Sequence, residues 1–273
     1  MPKPNLIICT DLDGTLLDHH NYSFDRARQA LDLIRKIRIP LLLNTSKTAA
    51  EVKEIRARLN IDHPSIVENG AGLIIPENYF PSIGATSLPE KNGYQFKSFG
   101  SDLQQVIDCL QQVREQYAYK FRGFSEMPIG EIAELTGLTP ENAQQAKNRL
   151  FSEPILWHDT EQTRQQFIQI MQDLKLQVVR GGRFSHVSGG GCKRQALLWL
   201  KKHYAKLWQQ TPKVIALGDG ENDIGMLQIA DIAVLVRSPV NPLPSLPNHK
   251  RLYVTEQEGP AGWNQTILEL LNQ

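Results

Sequence analysis

Two hydrophobic periods alternate along the chain. Leu6-Ile7-Ile8-Cys9-Thr10 is an apolar run that stops at Asp11, the pattern of a strand buried on both faces and ending in a polar loop. From Arg26 the apolar positions Ala27, Ala30, Leu31, Ile34 and Ile37 recur at helical spacing, and Pro40 marks the stop. Leu41-Leu42-Leu43 predicts a second strand ending at Asn44-Thr45-Ser46. Thr48 and Glu51 then form a capping box opening a helix through Val52, Ile55 and Leu59. After Ser65-Ile66-Val67 and Leu73-Ile74-Ile75 the pattern breaks at Pro76, Pro81, Gly84, Pro89 and Gly93, which marks a domain boundary.

Between Gly84 and Gly189 the periods predict a strand, a helix over Asp102–Gln116, a strand, two short helices around Pro128–Phe151, a strand, a helix over Thr163–Leu174, and a strand pair from Gln177 to Val187. Strand and helix alternation then resumes, with a helix from Lys193, strands at Val214–Leu217 and Ile232–Val236, a helix from Asn222 between them, and a closing helix near Trp263–Leu271. The expected class is α/β: a parallel-sheet core in two segments, residues 1–83 and 190–273, interrupted by an α+β insert over 84–189.

Composition narrows the function without naming it. The 273 residues carry 30 Lys and Arg against 29 Asp and Glu, so no excess of one sign attracts nucleic acid or an anionic membrane. Cys9, Cys109 and Cys192 are odd in number and far apart, which predicts thiols in a reducing compartment. No apolar stretch approaches a membrane span and the first residues lack a secretory core, so a cytoplasmic protein is expected, with oligomeric state left open.

In an open parallel sheet, reactive groups collect where the strands end. Asp11-Leu12-Asp13-Gly14-Thr15, Thr45, Lys193 after Gly189-Gly190-Gly191, and Gly218-Asp219-Gly220-Glu221-Asn222-Asp223 all fall at such ends or at helix starts. Their chemistry is complementary. A carboxylate such as Asp11 is repelled by a phosphate dianion, so attack needs a cation, for which Asp219 and Asp223 offer hard oxygen ligands suited to Mg²⁺. Lys193 would neutralise remaining charge, and Asp13 stands near enough to act as general acid and base. Each string alone also reads as an ordinary turn or an acidic helix start. Their joint occurrence favours a shared crevice. The glycines before Lys193 do not make a nucleotide phosphate loop, since no Ser or Thr follows the lysine, and the seven histidines lack zinc spacing.

These four segments resemble the signatures of the haloacid dehalogenase superfamily, and Glu68-Asn69-Gly70-Ala71 is similar to a segment of its branch with a large α/β cap. Within that branch the insert resembles the mannosyl-3-phosphoglycerate phosphatase family. The strings that carry this are Asn44-Thr45-Ser46-Lys47-Thr48, Glu131 to Leu138, Phe151-Ser152-Glu153-Pro154, Gly182-Arg183-Phe184-Ser185-His186 and Gly259-Pro260 with Gly262-Trp263. The resemblance implies a Mg²⁺-dependent phosphatase forming a phosphoaspartate on Asp11. It implies a metal held by Asp11, Asp13, Asp219 and Asp223, and a glycosyl phosphoglycerate, mannosyl or glucosyl, as substrate.

A pocket for a phosphorylated sugar acid needs cations for the carboxylate and polar groups for the hydroxyls. Arg183 and His186 cannot share a strand face, so one of them at most is expected to touch substrate. Arg149 and Glu153 are further contacts by resemblance, each equally well explained as a structural ion pair. A phosphosugar mutase and a non-catalytic sugar-phosphate binder are the competing functions.

Overall fold

The computed structural model describes residues 5–81, 90–91, 93–181 and 183–272. The first segment runs β1 (Leu6–Thr10), α1 (Arg28–Ile37), β2 (Leu41–Asn44), α2 (Ala49–Leu59), β3 (Ser65–Val67), β4 (Gly72–Pro76), β5 (Glu90–Lys91) and β6 (Tyr94–Ser98). The insert follows as α3 (Leu103–Tyr117), β7 (Phe121–Gly123), α4 (Ile129–Thr136), α5 (Pro140–Lys147), β8 (Ser152–Trp157), α6 (Glu161–Asp173), β9 (Gln177–Arg180) and β10 (Ser185–Ser188). The chain closes with α7 (Lys193–Trp208), β11 (Lys213–Gly218), α8 (Ile224–Gln228), β12 (Ile232–Arg237), β13 (Leu252–Glu258) and α9 (Gly259–Leu271).

The large sheet has the order β13-β12-β11-β1-β2-β3-β4-β6-β5. Pairing is parallel from β13 to β3 and antiparallel from β3 to β5. Alternate strand residues serve opposite layers. Ile8, Leu43, Ile215 and Leu217 pack with Leu31, Ile34, Val52 and Trp263, whereas Ile7, Cys9, Leu42 and Ala216 pack with Leu197, Leu200, Tyr204 and Met226. Burial on both faces is why β1, β2 and β11 read as continuous apolar runs. The Thr48–Glu51 capping box is present, with Thr48 Oγ1 accepting from Glu51 N at 3.2 Å and Glu51 Oε2 accepting from Thr48 N at 2.8 Å.

The second sheet, β7-β8-β10-β9, is antiparallel, and its Ile155 and Val187 pack on Val106, Leu110, Phe167 and Met171 of α3 and α6. The two crossings between the sheets are tied together, for Ser101 N donates to Gly189 O at 3.3 Å. A Cβ on Gly100 would stand 2.1 Å from that same Gly189 oxygen, so the crossing needs glycine there.

Two expectations change. The boundary near Gly84 lies outside the described residues, but β6 beyond it pairs with β4 in the large sheet, so by sheet membership the insert begins only after Ser98. Tyr94–Ser98 belongs with the large sheet rather than the second, because it returns along the edge that β4 leaves open. The hydrophobic pattern does not predict strand β13, which pairs with β12 at the sheet edge. The three cysteines are free thiols, as expected.

Candidate active site

The sheet's register brings the first acid into place. Asp11 N donates to Leu217 O at 2.9 Å, holding the end of β1 level with the end of β11 and therefore beside the Gly218–Asp223 turn. Lys193, the first residue of α7, reaches between two carboxylates: its Nζ lies 2.6 Å from Asp11 Oδ1 and 2.7 Å from Asp223 Oδ1. The second Asp223 oxygen accepts from the backbone N–H groups of Asp219 and Gly220, both at 3.1 Å. Asp219 accepts from the Thr15 hydroxyl at 3.0 Å and from Asn241 Nδ2 at 3.1 Å. Gly14 has φ +78°, and a Cβ there would stand 2.8 Å from Asp219 Oδ2, so the turn after Asp13 admits glycine for two reasons.

All four groups of this cluster are buried. Burial pushes the Asp11 carboxyl well above its usual range; Lys193 opposes the shift and the Asp223, Asp219 and Asp13 charges add to it. Asp219 is raised by burial and by Asp223, against the hydrogen bonds from Asn241 and Thr15. Burial works against the Lys193 charge, but Asp11 and Asp223 more than offset it, so the ammonium is held charged. Carboxylate oxygens of Asp11, Asp219 and Asp223 lie within 4.8 Å of one another. One lysine against three buried acids leaves a deficit of positive charge, and an all-oxygen donor set fits a hard divalent cation.

Thr45 is buried one residue beyond β2, its backbone N–H on Ile66 O and its hydroxyl accepting from Lys47 N at 3.2 Å. Asp13 lines the cleft with about a third of its side chain exposed, and its Oδ1 lies 3.0 Å from Lys47 Nζ. Lys47 is the functional neighbour that sequence reasoning missed as an individual residue. The available signal was its helical spacing to Glu51, whose Oε1 lies 3.8 Å from the same Nζ.

Above the acids is a cleft of about 710 Å³ whose far wall is the insert, through Val179, Arg180, Gly181 and His186. His186 lines it, with a buried Nδ1 that has no hydrogen-bond partner among the described residues. Burial, with Arg149 adding, holds its imidazole neutral, down to about 3. Asn69, Glu221, Asn222 and Asn241 supply polar groups from the core side.

The other expected contacts lie elsewhere. Glu153 is buried on β8, opposite Val187 and not His186, and its Oε1 accepts from Ser125 N at 2.7 Å and Ser125 Oγ at 2.6 Å. Those bonds oppose the burial that raises its carboxyl, and they occupy the group internally. Arg149 is spent on Ser152 and on Ser46 O at 3.2 Å, beside Glu68 at 3.4 Å. Arg183 is exposed in the β9–β10 turn, outside the cleft lining, while Arg180, three residues before it, stands in the lining. Gly182 of the same string lies outside the described residues.

Glu68 was expected only as part of a string, yet its carboxylate joins the two sheets. It accepts from Leu150 N at 2.8 Å, Phe151 N at 3.1 Å and Ser152 Oγ at 2.8 Å. Two residues on, Gly70 has φ +89° and lies against the Cys192–Lys193 peptide, where a Cβ would be 2.1 Å from the Cys192 carbonyl carbon. The segment that grips the insert therefore also seats the start of α7.

A parallel sheet with an inserted α+β unit, and buried aspartates around a lysine at its carboxyl edge, define a phosphoryl-transfer class of α/β hydrolase. The chain belongs to the haloacid dehalogenase-like hydrolase family, whose pattern matches residues 8–243. It is 35% identical over 269 residues, 98% of each chain, to a glucosyl-3-phosphoglycerate/mannosyl-3-phosphoglycerate phosphatase of Persephonella marina. It is 34% identical over 267 residues to a protein of the same name from Methanococcoides burtonii, covering 98% of this chain and 97% of that one. Among solved structures, a phosphatase of the haloalkanoate superfamily from Bacteroides thetaiotaomicron shares the fold at TM-score 0.66, with 18% identity over 98% of this chain and 96% of that chain. No helix among the described residues is long and apolar enough to cross a membrane.

Proposed function

We propose that the chain hydrolyses the phosphate monoester of a glycosyl-3-phosphoglycerate, mannosyl or glucosyl, through a phosphoaspartate on Asp11. The observation that carries this is the Asp11–Lys193–Asp223 cluster with Asp219 at the floor of a cleft walled on one side by the insert. The relatives at 34% and 35% identity, both named for that substrate pair, support the choice of ester.

In this reading an Asp11 oxygen attacks phosphorus while the ester P–O bond breaks. Asp13 gives its proton to the departing glycerate oxygen, then takes one from the water that attacks the phosphoaspartate and releases phosphate. Lys193 and Thr45 hold the phosphoryl oxygens, Lys193 carrying more of the charge that shifts during transfer. Asp11, the Asp13 carbonyl, Asp219 and Asp223 would hold Mg²⁺, which when bound supplies the positive charge that lets a carboxylate approach a phosphate dianion. The neutral His186, which lines the cleft, suits a sugar or glycerate hydroxyl better than a carboxylate. Arg180 suits the carboxylate. A mutase would return the phosphoryl group to sugar, and a binder would have no need of Asp11.

Phosphate release should be measured over a panel of sugar phosphates with and without Mg²⁺. Rapid release from the glycosyl phosphoglycerates, lost on chelation, is expected. Full activity after thorough chelation would overturn the metal reading, and isomerised sugar phosphate without free phosphate would overturn hydrolysis.

A further inference from the structure

Lys47 lies outside the acid cluster but touches the group proposed to move protons. Its Nζ is 3.0 Å from Asp13 Oδ1, 3.8 Å from Glu51 Oε1 and 4.8 Å from the centre of the Tyr22 ring. Glu51 is itself fixed, because its other oxygen closes the capping box on Thr48 N. Thr48 in turn donates its hydroxyl to Gln145 O of α5, in the insert, at 3.0 Å. A continuous chain of contacts therefore runs from the insert through the first turn of α2 to the Asp13 carboxylate. Asp13 Oδ1 is buried in an ion pair with Lys47, 3.0 Å from its Nζ but outside hydrogen-bond geometry, and the exposed third of that side chain leaves the other oxygen for the cleft.

We propose that Lys47 is a positioning residue that fixes the Asp13 carboxylate with one oxygen toward the ester leaving group, and that docking of the insert on α2 keeps Lys47 in that position. This rests on the phosphatase reading above. An ammonium held by an acid and an aromatic face has few rotamers left, and general acid catalysis requires its donor within hydrogen-bond reach of the departing oxygen. Lys47 does not line the cleft above the acids.

Leaving-group dependence tests the proposal. An alkyl glycerate oxygen needs a proton to depart; a p-nitrophenolate, a far weaker base, does not. kcat/KM reports the steps through leaving-group departure and so separates the two esters. Lys47→Met should lower kcat/KM for the glycosyl phosphoglycerate by about tenfold or more, a part of the roughly 10²–10⁴-fold that general acid catalysis contributes. For p-nitrophenyl phosphate the loss should stay below about threefold, and Lys47→Arg should recover most of the difference. Glu51→Ala, which removes one anchor and keeps the charge, should show the same ester dependence at smaller size, and it serves if Lys47→Met does not fold. Equal losses on both esters, or no loss on either, would overturn the role of Lys47. A wild-type protein that releases phosphate from neither ester would instead overturn the phosphatase reading.

Discussion

The indole N–H of Trp263 donates to the Thr10 hydroxyl at 3.0 Å, tying the last helix to the residue that precedes Asp11. The Thr10 hydroxyl in turn donates to Asp11 O at 2.8 Å, so the backbone of the proposed nucleophile is braced from the far end of the chain. Both residues are fully buried. Trp263→Phe deletes the donor and leaves an unfilled space. A loss of about 1–3 kcal/mol is expected from the unpaired group alone. Urea unfolding of the two proteins checks it, and unchanged midpoints would count against the brace.

Asp11→Asn keeps the shape of the side chain and removes its nucleophilic charge. The variant should fold, since burial already disfavours that charge, and should release no phosphate. Substantial turnover in a clean preparation would rule out the phosphoaspartate.

Removing Lys193 has a different signature. Lys193→Met leaves Asp11 and Asp223 buried without their cation, and breaking a buried ion pair in this way costs about 3–5 kcal/mol. Thermal unfolding at pH 7 should show the loss, and the deficit should shrink at acid pH as the Asp11 carboxyl protonates. A stable variant with only KM altered would reduce Lys193 to a binding group.

The crowding of three acids predicts an effect of metal on stability apart from turnover. Mg²⁺ should raise the thermal midpoint by binding the folded state alone, and Asp219→Asn should reduce that rise. Identical midpoints with Mg²⁺ and with chelator would contradict the cation site.

A pH effect arises far from the acids. His63 Nδ1 lies 2.7 Å from the Tyr79 hydroxyl, and burial, with the Arg56 charge adding, holds the imidazole down to about 4. An unfolded histidine titrates near pH 6.5. Above that pH both states are neutral and the stability is fully present. Below it the unfolded chain takes up a proton that the folded chain refuses, so stability is lost as the pH falls from about 6.5 towards 4. His63→Gln should flatten that part of the curve of urea midpoint against pH; an unchanged slope would remove His63 as a cause.

How much of this could be read from the amino acids depended on whether the signal was local. The ends of β1, β2 and β11 were visible because both faces of each strand are buried, and the acids stand at the first polar residues beyond. The α2 capping box lies within four residues, and so was its signature. Strand β13 was missed because it is a sheet edge: Thr255 is its one buried position, while Leu252 and Val254 are exposed. Charged residues were hardest. Nothing near Glu153 announces Ser125, nothing near Arg149 announces Glu68, and the choice between Arg180 and Arg183 depends on where β9 stops turning toward the cleft. Those pairings are set by chain segments far apart in sequence.

The pairing of β1 with β11 also governs when this molecule becomes whole. Leu6 stands opposite Lys213, so one edge of β1 stays open until synthesis reaches β11, at residues 213–218 of 273. The four strands of the second sheet lie together in sequence and have their own apolar cluster, so they can assemble earlier on the ribosome. Until β11 arrives, an apolar strand with a free edge waits beside an already ordered insert. That interval is when the nascent chain is most exposed to pairing with the wrong neighbour, and joining so distant a strand favours slow closure of the core.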